Sequence, residues 1–226
     1  VLASWAALDL GALWLTLRVA GFATLAALLL GVLFGYVLAR TRVPGRRLVE
    51  AVLMLPMVLP PSVLGYYLIV WLGRNSALGG WLSRTLGIEL MFTWQGAVVA
   101  AAVVAFPLVF TSARAAFEGV DANFEKAARV LGASEAKVFV QVTLPLALRG
   151  IAAGTMLAFA RAMGEFGATL MIAGNIPGKT QTLSLAVYDA VQAGHDALAN
   201  TLVIVISVIC IVVLVGAGHL LDPRPR

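Results

Sequence analysis

Residues Glu125–Pro145, EKAARVLGASEAKVFVQVTLP, form a polar interruption in an apolar chain. The stretch carries six charged or amide side chains: Glu125, Lys126, Arg129, Glu135, Lys137 and Gln141. Across the 226 residues, 61% are hydrophobic, only 12% are charged, and the mean hydropathy is +0.97. A soluble domain averages about 25% charged and about 45–50% apolar residues. A chain of this length cannot hide so much apolar surface from water, so the segments on either side of the interruption call for lipid as their solvent. The apolar excess runs along the whole chain, which excludes a single anchor on a soluble domain. The first apolar run is too long for a signal peptide and no Ala-x-Ala-like site follows it. Cys210 is the one cysteine and lies in an apolar run, so neither a disulfide framework nor a metal cluster is expected.

A helical span needs roughly 20 mostly apolar residues. Five segments meet this, at about 10–39, 48–73, 93–113, 147–172 and 197–221. Trp71, Trp81 and Trp94 fall near span ends, as interfacial aromatics do. Pro56, Pro60 and Pro61 in LPMVLPPSVLG each remove a backbone donor, so the second span either bends there or breaks into a functional irregularity. With five spans, the basic residues divide unevenly. Arg40, Arg42, Arg46, Arg47, Arg114, Lys126, Arg129, Lys137, Arg149, Arg224 and Arg226 share one side, against Arg74, Arg84 and Lys179 on the other, while Arg18 and Arg161 lie inside spans. By the positive-inside rule, the N-terminus is then outside, and the Glu125–Pro145 stretch and C-terminus are in the cytoplasm.

Within the interruption, Phe124, Ala127, Ala128 and Leu131 recur at helical spacing on one face. Asp121 or Asn123 is suited to cap the start of this helix and Gly132 its end, and Ser134 to cap a second short helix. Leu144-Pro145 then opens the fourth span, proline being tolerated in a first helical turn. Such an amphipathic helix either lies on the membrane surface or offers its small alanine face to another protein.

The spacing resembles the EAA signature of bacterial ABC importer permeases, in which Glu-Ala-Ala, three residues, Gly and nine residues precede Ile-x-Leu-Pro. Here Lys126-Ala127-Ala128 is followed by Gly132 and by Val142-Thr143-Leu144-Pro145; Lys126 replaces the family Glu, and Glu125 stands one residue earlier. The segments LPMVLPPSVLGYYL (55–68), FEGVDANFEKAARVLGAS (117–134) and FARAMGEFGATLMIAGNIPGKTQTLSLAVY (159–188) are similar to the molybdate importer permease family, with the sulfate/thiosulfate permeases as nearest relatives and tungstate as an alternative cargo. The resemblance implies an all-α polytopic bundle of the type I importer kind, forming one permease domain over 1–226. The implied protein has no cofactor and no enzymatic chemistry of its own, and resides in the bacterial inner membrane. It implies a homodimer embedded in lipid that binds a cytoplasmic ABC ATPase dimer and a periplasmic or extracellular oxyanion-binding protein, with no role for nucleic acid. The coupling loop would span about 114–146, contacting the ATPase through Glu125, Lys126, Ala127, Ala128, Gly132, Ala133, Leu144 and Pro145.

Other residues remain as candidates. Arg161 and Glu165 lie four apart on one face of the fourth span, in a segment with Gly164, Phe166 and Gly167. They read as a structural pair or as part of a pathway or gate; because a carboxylate repels an oxyanion, Glu165 suits architecture or gating. Arg18 either snorkels to the outer interface or attracts an anion. AGNIPGKT (173–180) fits a loose phosphate-loop pattern but follows a membrane span, so it reads instead as a turn contacting the external binding protein, through Asn175, Pro177, Gly178 and Lys179. No His-Glu-x-x-His or Gly-x-Ser-x-Gly motif is present, leaving a membrane enzyme or a channel as the weak readings of another class.

Overall fold

The computed structural model describes residues 10–41 and 44–221, so Arg42, Arg224 and Arg226 lie outside the described residues. Every regular element among them is helical. In chain order these are α1 (Leu10–Arg40), α2 (Arg46–Val58), α3 (Pro61–Leu72), α4 (Ala77–Leu86), α5 (Trp94–Glu118), α6 (Ala122–Val130), α7 (Glu135–Met163), α8 (Gly167–Ala173), α9 (Leu183–Gln192) and α10 (Asp196–Leu221).

The bundle is built around α5, the most buried of the long helices, which packs against α1 and α7. Its core is made of small side chains: Ala20, Ala23 and Ala27 of α1, Ala97, Ala100, Ala101 and Ala105 of α5, and Ala158 of α7. Lipid supplies no hydrophobic drive between helices, so they gain by close van der Waals contact, which small residues permit. Between α5 and α7 the approach is close at Gly154, where an added Cβ would sit 2.2 Å from Cβ of Ser112. One polar stitch crosses the core: buried Thr16 donates to the Ala12 carbonyl at 2.7 Å and accepts from the Leu183 amide at 2.8 Å, tying α1 to the start of α9. On the periphery, α10 turns Ile204, Val208, Ile211 and Val215 outward, as a lipid-facing helix does.

Four helices are long and apolar enough to cross a membrane, and α2 with α3 makes a fifth if taken as one broken span. That pair bends by 111°. Leu59 is extended (φ −69°, ψ 141°), as the residue before a proline prefers, and Pro61 opens α3 where its missing N–H costs nothing. The proline cluster therefore breaks the span rather than curving it.

Two expectations for the fourth span are corrected. The short helix after Ser134 is not separate from it: α7 runs unbroken from Glu135 through a π-helical turn at Phe139–Thr143. Pro145 has no N–H to give the Gln141 carbonyl, and the register shifts just before it, with the Leu144 amide bonding back to Phe139. Nor does the span run to 172. It ends at Met163, and α8 starts afresh after Phe166, whose backbone (φ −130°, ψ −59°) is not helical.

Candidate functional site

At the end of the bundle where α6 lies, local chemistry fixes the helix ends. Asp121 Oδ1 accepts from the Asn123 amide at 2.9 Å. At the other end, the amides of Ala133 and Gly132 bond back to Ala128 and Arg129, with Gly132 left-handed at φ +81°. Ser134 Oγ then receives the Lys137 amide and opens α7. Glu125 is buried inside this construction. Its carboxylate pairs with Arg40 of α1 and accepts from Thr143 Oγ1 in the π turn at 2.7 Å, and Arg129 Nη2 lies 3.8 Å away. Arg129 also grips Glu135 with two hydrogen bonds, of 2.6 and 3.0 Å, and that carboxylate raises the Arg129 pKa above its ordinary value. Beneath, Tyr36, Phe117 and Phe139 form an aromatic wedge with centroids 4.7–6.2 Å apart.

Phe124, Val130 and Leu131 are the reverse of Glu125: they are 58%, 87% and 87% exposed. Lys126, Ala127, Gly132 and Pro145 are exposed beside them, while Ala128, Ala133 and Leu144 are half-buried. The expected contact set is thus divided. Most of it shares an outward face, whereas Glu125 faces the bundle. The cause is register, since one residue along a helix turns a side chain by about 100°. The sequence reading also missed the ring of charges behind this face. Arg46 Nε bonds Glu50 at 2.7 Å, Arg114 Nη1 meets Glu50 at 2.8 Å and Arg114 Nε meets Glu118 at 3.0 Å, while Arg46 also pairs with Glu118. The available signal was that Arg46–Glu50 and Arg114–Glu118 are each spaced i,i+4 at a span end.

Farther into the bundle, Arg161 Nη1 lies 2.9 Å from Glu165 Oε2. The two partners differ in exposure: the Glu165 side chain is 2% exposed and that of Arg161 38%. Glu165 Oε1 also accepts the Ala168 amide at 3.0 Å, which fixes the turn into α8. Gly167 makes that turn possible, since a Cβ there would be 2.6 Å from Cβ of Pro61. Gly164 is exposed, and Phe166 lies against Tyr188 at 5.2 Å. Arg161 lines a cavity of about 400 Å³ framed by the broken span, from Pro56 to Pro61 and Leu64, and by Val104 and Leu108 of α5.

At the opposite end, the loop after α8 is held from within. The side-chain amides of Asn175 and Gln181 donate to the Asp189 carboxylate at 2.7 and 2.6 Å, and the hydroxyl of buried Thr180 accepts from the Ile176 backbone amide at 3.0 Å. The amides of Lys179, Thr180 and Gln181 all point to the Ile176 carbonyl, so they are spent inside the loop and cradle no phosphate. Pro177, Gly178 and Lys179 project from it, exposed. Arg18 stacks on the Trp94 ring, 3.8 Å from its centroid, which gives its charge a partner on its own chain.

The family model described as "Binding-protein-dependent transport system inner membrane component" matches residues 27–226. The chain belongs to this family. Among curated relatives of this inner membrane component, the Molybdenum transport system permease protein ModB of Escherichia coli (strain K12) is 46% identical over 91% of the chain and 90% of its own length. ModB of Haemophilus influenzae is 45% identical, over 82% and 81%. The Sulfate transport system permease protein CysT of Escherichia coli (strain K12) is 36% identical over 78% of the chain and 63% of its own. Among solved structures, the MetNI methionine ABC transporter in inward facing conformations aligns with a TM-score of 0.71 at 19% identity, covering 92% of both chains. A bacterial alginate ABC transporter in complex with alginate pentasaccharide-bound periplasmic protein aligns at 0.71 and 18% identity, over 93% of this chain and 77% of that one. At such identity these two structures speak for the fold alone, an all-helical bundle.

Proposed function

We propose that the chain is the transmembrane subunit of an ABC importer that moves molybdate across the inner membrane. The observation that carries this is the 46% identity to a molybdenum transport permease along nine-tenths of both chains. The chain is one permease domain and acts as a homodimer, with the pathway along the dimer axis. The end bearing α6 faces the cytoplasm, a placement supported by Arg40, Arg46, Arg47, Arg114, Lys126, Arg129, Lys137 and Arg149 gathering on that side. The N-terminus is outside and the C-terminus cytoplasmic.

In this reading, 114–146 is the coupling loop. The face made by Lys126, Ala127, Ala128, Gly132 and Ala133, with Phe124 and Leu131, docks on the ATPase subunit, and Leu144-Pro145 leads its movement into α7. Glu125 serves docking indirectly, by fixing α6 to α1 and the π turn. ATP hydrolysis in the partner supplies the differential binding energy that shifts inward-facing against outward-facing states. Arg161, Gly164, Glu165, Phe166 and Gly167 belong to the pathway or its gate, where the chain breaks between α7 and α8. Pro177, Gly178 and Lys179 present the surface for the external oxyanion-binding protein, and Asn175, turned inward to Asp189, braces the loop behind them. The chain does no chemistry itself.

The test is uptake of labelled molybdate by vesicles holding the permease, its ATPase and the binding protein. Uptake requiring all three and ATP is expected. Equally strong inhibition by equimolar sulfate would favour the sulfate reading that the CysT similarity raises; absence of uptake would refute the proposal.

A further inference from the structure

Arg161 is the one charged side chain lining the cavity under the broken span, among the described residues. Among the described residues its polar contact there is the ion pair to Glu165, made through Nη1, which leaves the other donors of a five-donor guanidinium to face the cavity. The pair is lopsided. Glu165 is buried and held a second time by the Ala168 amide, while Arg161 stays more than a third exposed and points into the cavity. Pro60 and Pro61 carry no N–H, so the break itself adds no amide donor at those positions. The cavity walls are otherwise apolar side chains, from Met57, Val58, Leu59, Leu64, Val104 and Leu108. At about 400 Å³ it has room for an anion together with water, whose share of liquid volume is about 30 Å³ per molecule.

Resting on the transport reading above, we propose that Arg161 is a transit contact for the translocated tetrahedral oxyanion, with Glu165 as the residue that positions its guanidinium and weakens its hold. The planar fork of donors matches two oxygens of such an anion. The neighbouring carboxylate opposes the anion's charge, so the contact binds and releases rather than traps. The asymmetry leaves the guanidinium, and not the carboxylate, accessible to an ion in the cavity.

The test uses the complete transporter in proteoliposomes, with Cys210→Ala as background and Val58→Cys placing a thiol on the cavity wall. Its modification rate by a methanethiosulfonate is measured with and without millimolar molybdate, at ionic strength matched with chloride. Molybdate is expected to slow modification several-fold when Arg161 is present, less with Arg161→Lys and not at all with Arg161→Gln. With Glu165→Gln protection should strengthen by about twofold or more, since a repulsive charge is gone. Protection that survives Arg161→Gln, or that is absent in the parent, overturns the proposal. If Arg161→Gln does not assemble, Glu165→Gln decides: unchanged or weaker protection rejects the assignment. Uptake in the same vesicles separates the two readings, because parent vesicles that transport molybdate without protection reject only the role of Arg161, whereas vesicles that do not transport it reject the function itself.

Discussion

Glu125 is a buried carboxylate whose partners come from three places in the sequence: Arg40 of α1, Thr143 of the π turn and, more distantly, Arg129 of its own helix. Burying a charge is tolerated when it is paired and hydrogen-bonded, and removing one member leaves the others exposed to that cost. Glu125→Ala should therefore strand Arg40 and free α6 from the bundle. The expected result is membrane insertion at the normal level with markedly less ATPase recovered on copurification; recovery equal to wild type would show that Glu125 is not what positions α6. A second residue-scale expectation concerns packing. Gly154→Val would force its new Cβ into Ser112, where 2.2 Å is available. Overpacking of this kind costs about 1–3 kcal/mol. A lower melting temperature in detergent than the wild type is expected, with Gly21→Ala, which meets nothing within 4 Å, as the unaffected control.

At the scale of the element, α6 is held in place by its inner side and caps while its outer side is left uncovered. Its ends are closed by Asp121 and the Gly132 turn, its inward carboxylate is anchored, and Phe124, Val130 and Leu131 are presented to whatever lies beyond. Leu131→Glu touches no contact within the chain's core, so the fold should be retained, as judged by melting temperature. Docking of the ATPase should fall at least tenfold in affinity, because a desolvated charge on an apolar contact typically costs more than about 1.4 kcal/mol. Undiminished ATPase binding and uptake would remove this face from the interface. The π turn next to it lies inside α7, so the helix that begins beside α6 is the same helix that bears Arg161.

For the whole molecule, the α6 end and the loop after α8 occupy opposite ends of a bundle centred on α5. Orientation then gives a direct experiment. A thiol introduced by Ala77→Cys or Gly178→Cys, in the Cys210→Ala background, should react with a membrane-impermeant reagent added outside intact cells. One introduced by Ala133→Cys should react only after permeabilisation. The opposite pattern would invert the proposed orientation and with it the cytoplasmic role of α6. The isolated permease is also expected to bind molybdate weakly, with no submicromolar event in calorimetry. Arg18 is engaged by Trp94, and Arg161 is shared with Glu165.

The sequence by itself determined what depends on local order. The apolar run lengths placed the spans, apart from the end of the fourth, the i,i+3,i+4 spacing set α6, Asp121 and Gly132 set its boundaries, Ser134 set the start of α7, and Pro60-Pro61 set the break, because each effect acts within a turn or two of the residue that causes it. The i,i+4 spacing of Arg161 and Glu165 made their pairing one of two open readings for the same reason, and the pair forms. Only the tertiary structure decided which way each helix is rotated about its axis. That rotation turned Glu125 inward to Arg40, 85 residues away, and Thr16 to Leu183, 167 residues away. It also exposed Arg161 to the cavity while burying Glu165. Composition in a lipid solvent leaves such rotations open, since apolar residues surround the spans on every side. Close contacts between small residues and scarce polar partners select one of them, and those are contacts between segments distant in the chain.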